Sequence, residues 1–173
     1  MKIARSYSYR HAEAILDKEF PREKAEIVKC LRKAEWARAE PRERKRKGRV
    51  VATLSIDQQA TNKAVEKAFK ACGWQVHPRI ISASDSQLAA DFKKGKIQVE
   101  VQFGNMARWY TDVFKFLLSY SADDIEVGVL AVPMQDTAAR IDENVVYFER
   151  VLRELPHARM GITIPIWVLG LAG

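Results

Sequence analysis

The sequence is poor in cysteine and has no long apolar run, and both shortages exclude classes of protein. Only two of its 173 residues are cysteines, Cys30 and Cys72, and no CxxC or Cys/His spacing typical of a zinc site is present. We therefore expect free thiols in a reducing compartment. No segment is apolar enough to span a membrane, and the residues after Met1 lack the apolar core of a secretory signal. We expect a cytoplasmic protein that does not bind membranes.

Positive charge is what the chain has in excess. Its 29 Lys and Arg residues against 22 Asp and Glu give a net charge of +7, which favours a polyanionic partner, although many basic proteins use such charge only for solubility. The length suits one domain, residues 1–173, with a core of its own.

The most informative stretch is Asp91–Asn105, which reads D-F-K-K-G-K-I-Q-V-E-V-Q-F-G-N. From Lys96 to Phe103 apolar and polar residues alternate with a period of two, which predicts a strand with two unlike faces. An acid among so many bulky apolar residues is unusual. One face carries Ile97, Val99, Val101 and Phe103, and the other carries Lys96, Gln98, Glu100 and Gln102.

A turn at Lys93-Lys94-Gly95 would fold this stretch into a hairpin and place Asp91 beside Glu100. Two adjacent carboxylates repel each other and raise one pKa, so their approach needs a compensating cation. Mg²⁺ prefers oxygen ligands and commonly serves phosphate chemistry. The alternative, which the spacing alone favours, is an ordinary hairpin whose polar face is solvated.

The motif D-x8-E-x-Q formed by Asp91, Glu100 and Gln102 resembles the site of the BglII- and BstYI-type restriction endonucleases. These are a branch of the PD-(D/E)xK nucleases in which Gln replaces the usual Lys. The run V-E-V-Q-F followed by a small residue is shared almost letter for letter. The resemblance extends over the whole chain, through Met1-Lys2-Ile3, Tyr9, His11-Ala12, Ile15-Leu16, Thr61-Asn62, Trp74, Pro165-Ile166, Val168, Gly170 and Leu171.

This resemblance implies an α/β fold, a restriction-endonuclease-like mixed β-sheet flanked by helices. The predicted order of helix, hairpin, helix, strand, helix and strand agrees with it. The resemblance also implies Mg²⁺, with Mn²⁺ as a substitute, bound by Asp91, Glu100 and the carbonyl of Val101. The neutral amide of Gln102 cannot act as a base, so we expect it to orient the attacking water. The identity of the base stays open.

Two further residues have alternative interpretations. Glu66 lies in a helix predicted over Asn62–Ala71 with Thr61 as N-cap, either near the metal or as a surface partner of Lys63 or Lys70. His77 stands where relatives carry an additional active-site Asn, but a lone His between Val76 and Pro78 is more often structural.

The helical pattern extends to Ala39, and a basic run begins directly after Pro41. Its sequence from Arg42 to Arg49 is R-E-R-K-R-K-G-R. The run is either a solvated loop or a set of contacts to DNA phosphates, which position DNA without reading its sequence. The candidate phosphate contacts are Arg42, Arg44, Lys45, Arg46 and Lys47.

Residues at places that contact bases in similar enzymes are Gly104, Asn105 and Lys115, together with a polar loop at residues 135–144. In that loop Arg140 could pair with guanine, Asn144 with adenine and Glu143 with the cytosine amino group, and Asp142 lies between them. The relatives centre on GATC, so we expect a GATC-containing palindrome, although the loop is poorer in Ser and Asn than in BglII.

The helix predicted over Ala107–Tyr120 carries an apolar stripe wide enough for a further contact. It precedes a strand predicted over Ile125–Val132, parallel to the first, then a helix over Val145–Leu155 and a strand over Ile162–Leu169. Cutting both strands of a palindrome suits a homodimer, and we place its interface on these two helices. Ordinary core packing is the alternative explanation of the stripe.

The leading hypothesis is a type II restriction endonuclease that cuts double-stranded DNA at a short palindrome. A structure-selective repair or junction nuclease of the same fold is the alternative enzyme. A third hypothesis is a DNA-binding protein without activity, against which the intact Asp91, Glu100 and Gln102 argue.

Overall fold

A six-stranded mixed sheet forms the centre of the protein, seen in a computed structural model that describes residues 1–46, 49–81 and 86–173. The strand order is β1-β8-β7-β6-β5-β4, in which β6, β7 and β8 are parallel and the other pairs antiparallel. The elements are β1 (Lys2–Tyr9), α1 (Ala12–Glu19), α2 (Pro21–Lys33), β2 (Arg38–Arg46), β3 (Arg49–Ile56), α3 (Gln58–Ala71), β4 (Gln75–Val76), β5 (Phe92–Lys94), β6 (Ile97–Val101), α4 (Arg108–Ser121), β7 (Val127–Pro133), α5 (Gln135–Ala138), α6 (Phe148–Glu154) and β8 (Ile166–Ala172).

Helices cover both faces of the sheet, as predicted. On one face Ile97 and Val99 of β6 pack with apolar residues of α1, α2 and α3. On the other face Leu130 of β7 and Val168 of β8 pack with residues of α4 and α6. The central strand β7 is buried along its whole length, as a parallel strand covered on both faces should be.

The parallel pairing of β6 and β7 is confirmed, with α4 as the connection between them. The last strand was predicted about four residues too early, since it begins at Ile166, just after Pro165. The first strand, β1, was not predicted. It pairs antiparallel with β8 at the sheet edge, so its pairing depends on a strand more than 150 residues away, which local pattern does not show.

Two helix boundaries differ from the prediction for local reasons. Helix α2 ends at Lys33, and Trp36 lies beyond it, where its ring contacts Phe103 at 4.9 Å between centroids. Helix α3 begins at Gln58 with Asp57 as N-cap, whose carboxylate accepts from the Ala60 N–H. Thr61 is therefore not the cap; it is buried, and its hydroxyl donates to the Asp57 carbonyl at 2.6 Å.

Residues 42–46 of the basic run lie in strand β2, so the alternative of a solvated loop is wrong for them. Strand β2 pairs antiparallel with β3 in a separate two-stranded sheet, here called the basic ribbon. The register shifts between Arg38 and Arg42, which accommodates Pro41 because proline has no N–H to donate to the ladder. Lys47 lies outside the described residues, and the side chain of Arg46 is likewise not described.

Among the described residues, none of the helices combines the length and the apolar composition that crossing a membrane requires.

Candidate active site

The hairpin of β5 and β6 brings Asp91 and Glu100 together, as the sequence predicted. Phe92 pairs with Val99 and Lys94 with Ile97, so the next position outward sets Asp91 opposite Glu100. The turn is Gly95-Lys96, slightly later than predicted, with Gly95 at φ +54°, a left-handed conformation that suits glycine in a two-residue hairpin loop. The Val101 N–H donates to Oδ2 of Asp91 at 2.8 Å, which holds that carboxylate over the end of β6.

The polar face of β6 is buried, so the alternative of a solvated hairpin is wrong. Gln98 and Glu100 are both 0 % exposed. The Nε2 of Gln98 donates to Oε1 of Glu100 at 2.8 Å, whereas the Oε1 of Gln98 has no hydrogen-bond partner within the described part of the chain. Gln98 therefore fixes one oxygen of Glu100, a role that the sequence did not reveal.

Helix α4 adds an acid and a cation to this face. The Nζ of Lys115 lies 2.6 Å from Oε2 of Glu100 and 3.1 Å from Oδ1 of Asp112. The other oxygen of Asp112 accepts from Nε2 of Gln102 at 2.7 Å, and Oε1 of Gln102 accepts from the Gly104 N–H at 2.9 Å. Contacts therefore connect Glu100, Lys115, Asp112 and Gln102, and Asp91 lies next to them through the Val101 N–H. These five residues are here called the motif cluster.

Asp112 was missed by the sequence reasoning, although a signal for it exists. It is buried on the same side of α4 as Trp109 and Phe116, at the spacing that places residues on one helix face. Burial of an acid without a partner is costly, so an acid within the apolar stripe of a helix indicates a polar partner from another element. Here that partner is Gln102 of the segment after β6.

Burial controls the ionisation of the two motif carboxylates. It raises the pKa of Asp91, against the opposing effects of the Val101 N–H and the Lys115 charge. Burial and the charge of Asp91 raise the pKa of Glu100 well above its ordinary value, despite Lys115. For Lys115 burial alone would lower the pKa, but the charges of Glu100 and Asp112 raise it above its ordinary value. Burial, more than the neighbouring charges, thus sets the pKa of both carboxylates.

Two clefts meet at Asp91, Val101 and Asn62. One of about 340 Å³ is lined by residues that include Gln102, Arg108, Asp112 and Lys115. The other, of about 320 Å³, is lined by residues that include Glu66 and His77.

Glu66 and His77 therefore lie beside the motif cluster without joining its hydrogen bonds. Their side chains approach each other at 3.7 Å between Oε2 and Nε2. His77 has a φ of +52° and donates its main-chain N–H to the Asp91 carbonyl at 3.0 Å.

The donor set suits a hard divalent cation. Among the described residues no group of three or more His, Cys, Asp or Glu side chains is arranged to hold a metal ion. However, the Lys115 ammonium contacts Oε2 of Glu100 at 2.6 Å, so a positive charge fits next to this carboxylate oxygen. Asp91, Glu100 and the Val101 carbonyl offer oxygen ligands, as Mg²⁺ and Mn²⁺ prefer.

The comparison with known protein families agrees with this geometry. The family model described as restriction endonuclease BglII/BglIII matches residues 4–171, nearly the whole chain. The chain belongs to this restriction endonuclease family. None of the curated proteins is significantly similar to it in sequence.

Solved structures of BglII share the fold of this family member. The crystal structure of restriction endonuclease BglII complexed with a DNA 16-mer superposes with a TM-score of 0.81 at 21% identity, over 100% of this chain and 77% of that chain. The crystal structure of free BglII superposes with a TM-score of 0.71 at 20% identity, over 99% of this chain and 79% of the other. The predicted fold class, a restriction-endonuclease-like mixed sheet flanked by helices, is confirmed.

Most of the predicted base-contacting residues of this family member lie together. Gly104, Asn105, Asp142 and Asn144 line one cleft of about 420 Å³. The Met106 N–H donates to the Asn144 carbonyl at 2.7 Å, and Asn105 forms a bridge with Val145. Arg140 and Glu143 belong to the same loop as Asp142 without lining this cleft, whereas the Lys115 side chain is directed to Glu100 and Asp112 and is only 13 % exposed.

Hydrogen bonds and ion pairs connect the loop between β7 and α6 to the basic ribbon. The Nε of Arg140 donates to the Ser55 hydroxyl at 3.1 Å, and the Arg140 carbonyl accepts from the Ser55 N–H at 2.8 Å. Arg44 pairs with Asp142 at 2.6 Å and with Glu143 at 3.5 Å. The ribbon and the loop therefore form one surface in which candidate phosphate contacts adjoin candidate base contacts.

Proposed function

We propose that the protein is a Mg²⁺-dependent type II restriction endonuclease that hydrolyses phosphodiesters of double-stranded DNA at a short palindrome. Membership of the BglII/BglIII family supports the nuclease class. The observation that carries the metal dependence is the placement of Asp91 opposite Glu100 across the hairpin, since two adjacent carboxylates repel each other and need compensating positive charge. A divalent cation supplies that charge.

In this site Asp91, Glu100 and the Val101 carbonyl would hold Mg²⁺, or Mn²⁺ in its place. When bound, the ion neutralises charge on the scissile phosphate and lowers the pKa of water. Gln102 cannot take a proton, but its amide is fixed at both ends by Asp112 and the Gly104 N–H. Its Oε1 can accept a second hydrogen bond, and we assign it the orientation of the attacking water.

DNA binding is assigned to the surface formed by the ribbon and the loop. Arg42, Arg44 and Lys45 of β2 are exposed and suit phosphates, with Arg46 and Lys47 next in sequence. Asn105, Arg140, Glu143 and Asn144 suit base edges. The target proposed from the family resemblance is a palindrome centred on GATC.

A homodimer is proposed through α4. Tyr110 and Phe114 are 49 % and 55 % exposed and lie one turn apart on this helix. The Tyr110 hydroxyl donates to Glu154 of α6 at 2.6 Å, so the proposed interface includes both helices. Sedimentation with and without DNA should give a dimer, and Phe114→Glu should shift it to monomer, whereas Lys70→Glu on α3 should not. A wild-type monomer under both conditions would remove this proposal.

Cleavage of plasmid DNA tests the function directly. With Mg²⁺ the wild-type protein should give discrete bands, and a chelator should abolish them. A smear, or nicks only at unusual DNA structures, would instead indicate a structure-selective nuclease. Binding without cleavage in Mg²⁺ and Mn²⁺ would indicate a DNA-binding protein that lacks activity.

Base reading is tested by three substitutions with a matched control. Arg140→Ala and Asn144→Ala should each cost about 1–3 kcal/mol of binding and relax preference at one base pair, whereas Lys45→Ala should weaken binding to all sequences alike. Because Arg140 also holds Ser55, Ser55→Ala is needed as a control for loosening of the ribbon. Uniform loss in the loop variants would assign the loop to phosphates.

A further inference from the structure

The motif of this nuclease, formed by Asp91, Glu100 and Gln102, contains no cation. Its third motif position is Gln102, a neutral amide, while Asp91 and Asp112 line one cleft and the Lys115 ammonium links Asp112 to the buried Glu100. A DNA phosphate entering this cleft would add a further negative charge. Electrostatic stabilisation of phosphoryl chemistry relies on cations positioned where that charge lies.

Lys115 is the cation that the structure provides there. It comes from α4, in the middle of the helix that covers the polar face of β6. Its ammonium bridges Glu100 and Asp112 at 2.6 and 3.1 Å and lines the same cleft as Asp91, Val101 and Gln102. The only other cationic side chain among the residues lining that cleft is Arg108, which is exposed and two turns away on α4.

Asp112 contacts the side chains at both position 102 and position 115. One of its oxygens holds the Gln102 amide at 2.7 Å and the other holds the Lys115 ammonium at 3.1 Å. A cation on either neighbour would therefore have the same carboxylate as partner. In this position Lys115 prevents a metal ion from binding both oxygens of Glu100. The Lys115 Nζ contacts Oε2 of Glu100, and the Gln98 amide donates to Oε1.

We propose that Lys115 is a catalytic residue. Its ammonium would leave Glu100 when a divalent ion is bound there, and the same ammonium would then contact the scissile phosphate. This inference rests on the proposed nuclease function. While no ion is bound, Lys115 stabilises the buried carboxylates. With Glu100 free to hold a divalent ion, Asp112 would keep Lys115 at the cleft, where its three N–H donors would be available to phosphate oxygens.

The test combines charge removal with charge exchange. The variants are Lys115→Met, Lys115→Gln, Gln102→Lys and the double variant Gln102→Lys/Lys115→Gln, with Lys70→Met as control. Lys70 is an exposed cation near the end of α3 and does not line either cleft at Asp91. Cleavage of plasmid DNA is measured under single-turnover conditions, and Mg²⁺ binding to the protein without DNA is measured by calorimetry.

Lys115→Met should lower the cleavage rate by about 10²-fold or more, the scale of a lost transition-state contact. It should tighten Mg²⁺ binding about tenfold, because a competing positive charge has gone from Glu100. The double variant should cleave at least about tenfold faster than either single variant, because it restores one ammonium on Asp112. Lys70→Met should change neither quantity.

A purely structural role for Lys115 predicts different behaviour. Lys115→Met would then lose Mg²⁺ affinity, cleavage and thermal stability together, and the exchange would restore nothing, which overturns the inference. If Lys115→Met does not fold, the double variant decides, since it must outperform Gln102→Lys. Cleavage at the wild-type rate by Lys115→Met overturns this inference alone. An inactive wild-type protein overturns the nuclease function and the inference with it.

Discussion

Carboxylates near the β5–β6 hairpin differ in the direction in which folding shifts their pKa: it is lowered for Glu26 and raised for Asp91 and Glu100. Glu26 of α2 lies near β5, where it pairs with Lys94 at 2.6 Å and Arg22 at 3.3 Å and accepts from the Trp74 indole at 3.2 Å. Burial opposes its ionisation, but the hydrogen bond and charge of Lys94 lead the partners that lower its pKa. Asp91 and Glu100 show the reverse, because burial outweighs their partners.

This difference supports the proposal that Asp91 and Glu100 belong to a metal site, whereas Glu26 stabilises the fold. Glu26 is ionised at little cost and joins α2 to the hairpin. The charges of Asp91 and Glu100 cost stability in the absence of further cations, which is the condition under which a divalent ion gains most from binding. Strongly shifted acids in a cleft are typical of functional sites.

The largest expected effect is loss of cleavage on removal of a motif carboxylate. Asp91→Ala and Glu100→Ala should each lower the cleavage rate by about 10³-fold or more, because both would hold the metal. Binding of DNA should remain, since neither carboxylate is assigned to bases. Rates are measured on plasmid DNA with Mg²⁺ and affinity by a gel-shift assay, with Glu26→Gln as a control that should cleave normally. Single variants that cut at nearly the wild-type rate would refute the site.

The next largest effect is expected from a second positive charge in the motif cluster. Gln102→Lys, in the presence of Lys115, should lower cleavage by about tenfold or more, because two ammonium groups then share Asp112 and stand near the metal. The rate is measured over a range of Mg²⁺ concentrations. Higher activity in this single variant would contradict the orienting role of Gln102.

Stability should respond in opposite directions at the two groups. Asp91→Asn removes a charge that burial opposes, so the temperature of unfolding of the metal-free protein should rise. Glu26→Gln weakens a favourable charge and should lower the free energy of unfolding by about 1 kcal/mol, or about 2–4 °C for a chain of this size. Both are measured by differential scanning calorimetry with a chelator present. Destabilisation by Asp91→Asn would mean that its charge supports the fold.

The smallest expected effect is the pH dependence of the stability changes caused by Asp91→Asn and Glu26→Gln. The pKa of Glu26 is lowered by folding, so its contribution is present above the unfolded pKa of about 4.3 and is lost as pH falls through the folded value. The pKa of Asp91 is raised, so its cost is complete above the folded pKa and disappears as pH falls towards about 3.9. In urea titrations at several pH values, the gain of Asp91→Asn should therefore fade before the loss of Glu26→Gln.

Local pattern was sufficient for the hairpin, its motif and the parallel strand that follows. The alternation from Lys96 to Phe103, with glycine at the turn, sets Asp91 opposite Glu100 without help from distant residues. The apolar run of β7 and the helix before it likewise determine a parallel crossover. The family resemblance supplied the remaining outline of the fold, which the superposition with BglII confirms.

The basic ribbon shows where local pattern was not sufficient. Charge repulsion within Arg42–Arg49 left a solvated loop as an alternative, but pairing with β3 and the contacts of Arg44 to Asp142 and Glu143 stabilise a strand over residues 42–46. Those acids lie about 98 residues further along the chain. A charge pattern read along one segment does not include partners at such separation.

What the sequence determined by itself is the pair of carboxylates and the strand that carries them, because period and turn fix neighbours across a hairpin. Only the tertiary structure decided that the polar face of this strand is buried and that α4 completes it. Asp112 and Lys115 reach Gln102 and Glu100 because the crossover helix packs over β6. That packing depends on how the whole sheet is covered, and no spacing within the motif encodes it.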